Sequence, residues 1–256
     1  MRSMTSVVWL ALCGVVIGLT ACSTEEKQPS PDSDDYFPLA VGDWWVYEET
    51  DDDPDTAWTT RQVRLEVVDS VEMDFELDAE GALPVLVVEE TYPSGDDLAD
   101  PRVAYDYDDG AVVVRKRQEI LDAATDAPKR TVDYEPGLLR FDRGRTAAGD
   151  EWDGDYMEVT VSVPTQPEDG EWLLEYLYEI QEPETVTVPA GTFDCLVLKR
   201  TCQSGYPGED EVAPEVSVFY FATGVGMVKA VTGLGGGVTT VEELVELHVA
   251  APDGGA

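Results

Sequence analysis

The sequence predicts an all-β fold, mainly antiparallel: a curved sheet, sandwich or barrel-like arrangement of about a dozen strands with little helix. Three observations predict it. Apolar and polar residues alternate with period two from Tyr36 onward. Clusters of Gly, Pro and Asp interrupt that alternation every 8 to 15 residues. No long stretch carries the 3.6-residue period of an amphipathic helix.

Taken in order, Val63, Leu65 and Val67 alternate with Gln62, Arg64 and Glu66. Asp109-Gly110 then separates two alternating runs, as a type I′ hairpin turn does. That turn would set Tyr107 opposite Val112 and Tyr105 opposite Val114, with their apolar side chains on one face. The Gly- and Asp-rich stretch 142–155 is the candidate subdomain seam. Met157, Val159, Val161 and Val163 alternate with polar neighbours. Trp172, Leu174, Tyr176, Tyr178 and Ile180 line one face of a long strand whose other face carries Glu175 and Glu179. Val188-Pro189-Ala190-Gly191-Thr192 suits a tight turn, with Pro189 fixing φ and Gly191 supplying a left-handed residue. It joins Glu184–Val188 to Phe193–Gln203. Gly224 and Gly226 mark a bend between strands. Val245, Leu247 and Val249 against Glu246 and His248 favour a final strand over 238–249. One wet face and one buried face per strand is the antiparallel habit.

The chain has 256 residues, with 16 Lys+Arg against 54 Asp+Glu, for a net charge of -38. Phosphate backbones repel such a chain, which argues against nucleic acid as a partner. Anionic lipid surfaces repel it too, which argues against electrostatic docking on a membrane. Yet 43% of residues are hydrophobic and six are Trp, too apolar for a disordered acidic chain and enough for a core.

The first 35 residues give an address. Only Arg2 is charged before Glu25, and Val7–Leu19 is an apolar run of 13 residues. That run is too short to span about 30 Å of hydrocarbon as a helix, but it fits the core of a secretory signal. Leu19-Thr20-Ala21-Cys22 follows and resembles the lipobox of bacterial lipoproteins. The resemblance implies cleavage after Ala21, acylation of Cys22 (palmitate or similar chains), and attachment to the membrane through those chains. Ser23 in place of Asp points, by the same resemblance, to the outer membrane. An ordinary export signal with a chance cysteine is the alternative. Two or three acyl chains hold a protein almost permanently, at about 0.8 kcal/mol per buried methylene. Residues 22–35 then read as the acylated cysteine and a disordered tether, 36–250 as a single β domain, and 251–256 as a disordered tail. No later run is apolar and long enough for a second span.

Three further stretches carry a second resemblance. Tyr36-Phe37-Pro38-Leu39 with Gly42, Trp44 and Tyr47, then Val188–Cys195 (VPAGTFDC), then Tyr220–Lys229 (YFATGVGMVK) look like motifs of uncharacterised bacterial lipoproteins. The resemblance implies a mostly antiparallel β domain at the cell envelope and no particular activity. Read from their residues alone, these motifs are structural: aromatic anchors, a hairpin turn and a glycine bend.

Catalytic devices are hard to place. His248 is the only histidine, so a metal site with two histidine ligands is excluded within one chain. It reads as a solvent-facing strand residue beside Glu246. There is no P-loop, and Gly224/Gly226 lack the third glycine of a dinucleotide fingerprint. No cofactor is implied, with Ca²⁺ the single candidate. Asp51, Asp53 and Asp55 have the 1, 3, 5 spacing of an EF-hand loop, but Thr56 and Gln62 stand where Gly and Glu are needed. Weak Ca²⁺ binding there, or at Asp150, Glu151, Asp153 and Asp155, competes with a plain solvated acidic loop.

Charge is uneven. Residues 115–145 hold eight of the basic residues and six acids, for a local net of +2 against -40 elsewhere. Arg115, Lys116 and Arg117 are a candidate anion or glycan patch; the other reading is that these cations neutralise neighbouring acidic strands. Cys195 and Cys202, seven residues apart, lie on opposite faces and about 23 Å apart in one regular strand, which predicts two unpaired thiols.

These features favour a non-enzymatic, lipid-anchored envelope domain that acts as a structural or interaction module, with an envelope protein or glycan as partner. A carrier or sensor is the first alternative, its concave apolar face holding a hydrophobic ligand against Trp44, Trp45 or Trp172. A glycan hydrolase using a carboxylate pair is the second.

Overall fold

The computed structural model describes residues 35–52, 59–75, 81–93, 100–154, 157–163, 166–205, 214–234 and 238–249. The leader, Cys22, most of the tether and the tail lie outside the described residues, as do Asp53, Asp55 and Asp155. Described residues form one sheet of 13 antiparallel strands and no helix. The strands are β1 (Trp44–Asp51), β2 (Thr60–Met73), β3 (Leu83–Thr91), β4 (Arg102–Asp108), β5 (Val112–Leu121), β6 (Pro128–Asp142), β7 (Glu151–Asp153), β8 (Met157–Val163), β9 (Gln166–Val188), β10 (Gly191–Gly205), β11 (Glu215–Ala222), β12 (Gly226–Leu234) and β13 (Val238–His248). No described helix is long and apolar enough to cross a membrane.

Neighbours in the sheet run β10-β11-β12-β13-β1-β2-β3-β4-β5-β6-β8-β9-β7, and β9 also pairs with β10. The first part of β9 pairs with β8 and the remainder with β10. The sheet therefore curls back towards itself through this one 23-residue strand, without closing as a regular barrel. Register shifts at Val46/Tyr47, Val67/Asp69, Tyr105/Asp106, Arg115/Arg117, Cys195/Val197 and Tyr220/Phe221 spread the bending over many strands. Each bulge adds local twist, which is how a long antiparallel sheet acquires curvature.

Two apolar clusters fill the concave side. One contains Trp45, Tyr47, Val67, Val88, Cys195, Val228 and Leu244. The other contains Phe141, Met157, Tyr176, Tyr178, Ile180, Leu198 and Phe221. Residues 142–154 pack onto the second: Trp152 stacks on Tyr178 at 5.3 Å, and the Gly154 amide donates to the Tyr176 carbonyl at 2.6 Å.

The turn at Pro189–Ala190 forms as the sequence predicts, with Gly191 opposite Val188 and at φ +147°. The turn near Asp109 sits one residue later than expected. The Asp109 amide donates to the Val112 carbonyl at 3.3 Å, leaving Gly110 and Ala111 as the central pair. Gly110, at φ +87°, is then the first central residue, where a type II′ turn has its positive φ. Tyr107 consequently pairs with Val114, and Tyr105 with Arg117. Tyr107 and Val114 still share a face, as expected, but the face packed inward is the other one, with Ala104, Asp106 and Val113 buried.

Candidate functional site

The three motif stretches meet at one end of the concave side. Asp43 accepts the Ala40 amide (2.8 Å), and the Gly42 amide donates to the Val67 carbonyl (2.8 Å), which turns residues 36–42 across the sheet. Phe37 stacks on Phe141 at 6.0 Å and tilts against Phe221 at 5.7 Å. Trp45 Nε1 donates to the Val225 carbonyl (2.7 Å), and the Tyr47 hydroxyl to the Met227 carbonyl (2.9 Å). The Ala190 amide donates to the Leu244 carbonyl, which ties the Pro189 turn to the same place. Arg143 holds the far side, donating to both Asp108 oxygens (2.8 and 3.0 Å), to Asp35 (3.2 Å) and to the Phe37 carbonyl (3.2 Å).

Behind this segment lies a cavity of about 60 Å³, room for a few waters. Its walls are mainly apolar: Phe37, Pro38 and Leu39 on the N-terminal side, Trp45, Leu65 and Val88 on the floor, and Leu139, Leu198, Phe219 and Phe221 opposite. Four charged side chains also line it, namely Asp106, Arg115, Arg140 and Arg200. Arg115 grips Asp106 with two bonds, Nε to Oδ1 at 2.8 Å and Nη2 to Oδ2 at 3.2 Å. Arg140 and Arg200 have no carboxylate within ion-pair distance among the described residues, and the Nε of each is sealed from solvent without a hydrogen-bond partner. Arg200 lies instead over the rings of Phe219 (4.9 Å) and Tyr176 (5.2 Å). Burial, then the nearby Arg115 charge, lowers Arg140 to about 10. Within an acidic protein, this lining carries a net charge of +2.

A second charged group is built on β13, β1, β2, β3 and the start of β4. Glu242 pairs with Glu49 across β13 and β1. Arg61 Nε donates to Glu49 at 2.6 Å, Arg102 lies 3.3 Å from Glu90, and the Tyr92 hydroxyl donates to Glu90 at 2.5 Å. Burial, reinforced by Glu49 and Glu90, raises Glu242 to about 7. Burial likewise raises the Cys195 thiol to about 12 and pushes Cys202 up. Both thiols are free. The bulge at Cys195/Val197 breaks the regular alternation that assigned them opposite faces, and each packs on an apolar cluster: Cys195 within the one that holds Trp45, Cys202 against the one that holds its cross-strand partner Tyr176.

The expected site residues are dispersed. Arg115 is inside, on Asp106; Lys116 is buried, with Nζ donating to the Pro136 carbonyl (2.6 Å); Arg117 donates to Asp133 (2.6 Å). Each of the three thus has its own partner within the fold. Asp51 ends β1 opposite Thr240. Asp150 accepts the Ala147 amide at 3.1 Å, and Asp153 is exposed on β7. Among the described residues no group of three or more His, Cys, Asp or Glu is arranged to hold a metal. His248 is exposed and stacks on Trp44 at 6.0 Å, with Arg64 over the same indole at 4.3 Å. Trp44 therefore faces away from the cavity, and Trp45 is the tryptophan of the concave side. Sequence reasoning missed Arg140, Arg200 and Glu242. Their signal was a charge at an inward position of the alternation, two residues from Leu138, Leu198 and Leu244 respectively.

Residues 178–232 match a family model described as DUF3108-like. No curated protein matches the chain. Among solved structures, an exported protein with a YmcC-like fold from Bacteroides fragilis aligns at 15% identity and TM-score 0.51, covering 83% of this chain and 98% of its own. A protein from Parabacteroides distasonis classed as a lipoprotein aligns at 17% identity and TM-score 0.49, with the same coverage of 83% and 98%. The hypothetical lipoprotein YmcC from Escherichia coli aligns at 12% identity and TM-score 0.33, over 81% of this chain and 85% of its own. The chain is thus similar in fold to the Bacteroides fragilis protein over nearly all of that protein's length.

Proposed function

We propose that this protein is a lipid-anchored, non-enzymatic component of the bacterial envelope, sensing or carrying a hydrophobic ligand on the concave side of its sheet. The observation that carries the binding role is the mainly apolar cavity behind Phe37, Pro38 and Leu39, which also takes lining residues from the Tyr220–Lys229 motif. Concave, mostly apolar sites with a few convergent polar groups are the usual form of small-molecule sites. The envelope address rests on the leader: an apolar run too short to span, then Leu-Thr-Ala-Cys22. The export implied for the Bacteroides fragilis protein agrees with it. Attachment through Cys22, in the outer membrane, also reconciles a charge of -38 with a membrane location, because acyl chains need no electrostatic attraction.

Native mass spectrometry of the protein extracted from its own membranes tests both halves. The expected spectrum shows an acylated N-terminal Cys22 and a small-molecule adduct that denaturation releases. Ligand-free protein from several extractions would remove the carrier role. An unmodified Cys22, together with Cys22→Ala protein that still fractionates with membranes, would remove the anchor.

A further inference from the structure

We infer that the ligand is an amphiphile with an anionic head, and that Arg140 and Arg200 hold that head inside the cavity. This deepens the carrier reading and rests on it. A cation removed from water is costly unless something pairs it. Carboxylates are abundant in this chain, at 54 residues, and most described cations have found one. Arg61 has Glu49, Arg115 has Asp106, Arg117 has Asp133, Lys199 has Glu179 and Lys229 has Glu243. Arg140 and Arg200 are different. They sit in the lining of one cavity with no described carboxylate in reach, each with an unused, solvent-sealed Nε donor. Asp106, bound through both oxygens by Arg115, and Glu242 act favourably on Arg140, but only through space and not as an ion pair. The rings under Arg200 offset part of its burial, as cation–π contacts do, but leave its Nε–H unused.

One compact oxyanion supplies what is missing. A carboxylate or phosphate monoester accepts in-plane N–H bonds from guanidinium groups, and it balances a lining charge of +2 wholly or in part. The apolar walls formed by Phe37, Leu39, Leu65 and Val88 then receive the tail. The present 60 Å³ admits a head or a short chain. A longer tail requires residues 36–39 to yield, and these lining residues do not belong to a strand.

The test uses the full chain in detergent-free buffer, with Trp45 fluorescence and calorimetry as readouts. The probes are decanoate, decyl phosphate, decanol and inorganic phosphate. The expected result is binding of decanoate and decyl phosphate at least about tenfold tighter than decanol, the scale of one or two charge-assisted hydrogen bonds. Arg140→Met and Arg200→Met should each collapse that preference to less than about threefold. Decanol binding as tightly as decanoate overturns the anionic head and leaves the carrier role standing. Inorganic phosphate binding as tightly as decyl phosphate assigns the arginines to a free anion and overturns the amphiphile. No binding of any decyl probe overturns the carrier role itself. Should either variant fail to fold, the ranking of the four probes on the unmodified protein decides the matter alone.

Discussion

Glu242 shows how one residue's position on a strand sets its chemistry. It shares the inward parity of Leu244, so its carboxyl is carried into the curl of the sheet beside Glu49 and Glu90, with Arg140 and Arg102 as the opposing charges. The result is a carboxyl that titrates near neutrality, at about 7, against about 4.3 in an unfolded chain. The folded state therefore binds more protons than the unfolded state between those values, and stability falls as pH rises through that window. A shift of this size corresponds to about 4 kcal/mol once Glu242 is fully ionised. Urea denaturation between pH 5 and 8 should show that decline, and Glu242→Gln should flatten it. A variant with the same slope as the parent would mean that other groups set the pH dependence. The elevated value invites a general-acid role with Glu49 as its partner, but neither residue lines the cavity, so the carboxylate-pair hydrolase gains no access route from this geometry.

Among the elements, the turns account both for what the sequence revealed and for what it concealed. Pro189 and Gly191 specify their hairpin locally, through a fixed φ and a left-handed residue, and the hairpin forms at the expected place. Asp109-Gly110 is locally ambiguous, because its glycine suits either central position of a tight turn. The choice falls to tertiary packing, which buries Ala104, Asp106 and Val113. The bulge at Cys195/Val197 is likewise invisible to a period-two rule, since an extra residue resets the alternation without any change in composition. The N-terminal segment was legible only as a set of aromatic anchors. Its role as a cover over the cavity depends on partners some 180 residues away, as in the contact of Phe37 with Phe221. On the floor beneath it, the Trp45 Nε1 bond to the Val225 carbonyl predicts a specific loss. Trp45→Phe keeps an aromatic ring but leaves a buried carbonyl without its donor, which costs about 1–3 kcal/mol. Trp44→Phe, on the outward face, should cost less than about 1 kcal/mol. Equal losses in urea unfolding would show that the hydrogen bond and inward packing of Trp45 do not stabilise the fold.

At the scale of the whole molecule, fold class was legible because it depends on pattern repeated over many strands, while the site was not, because it depends on a few exceptions to that pattern. The charge links the two. A net of -38 marks the exterior as acidic and self-repelling, yet the cavity lining alone nets +2. Cations of the segment 115–145 are the source of much of this inversion: Arg115 and Arg140 point inward, whereas Lys129 and Arg145 pair with Asp100 and Asp142 near the surface. Those exposed pairs contribute little each and weaken with salt. Net repulsion among acidic strands outweighs them and opposes folding. It is screened as the Debye length falls from about 30 Å at 0.01 M salt to about 8 Å at 0.15 M. Thermal unfolding of the unliganded protein should therefore shift upward by several degrees over that range of NaCl, each 1 kcal/mol being worth about 2–4 °C in a domain of this size. The gain should level off beyond 0.15 M, since by then most separated charges no longer sense one another. A melting temperature that falls with NaCl would mean that the surface ion pairs outweigh the repulsion. A rise that continues linearly to 1 M would trace the stabilisation to solute exclusion and not to charge.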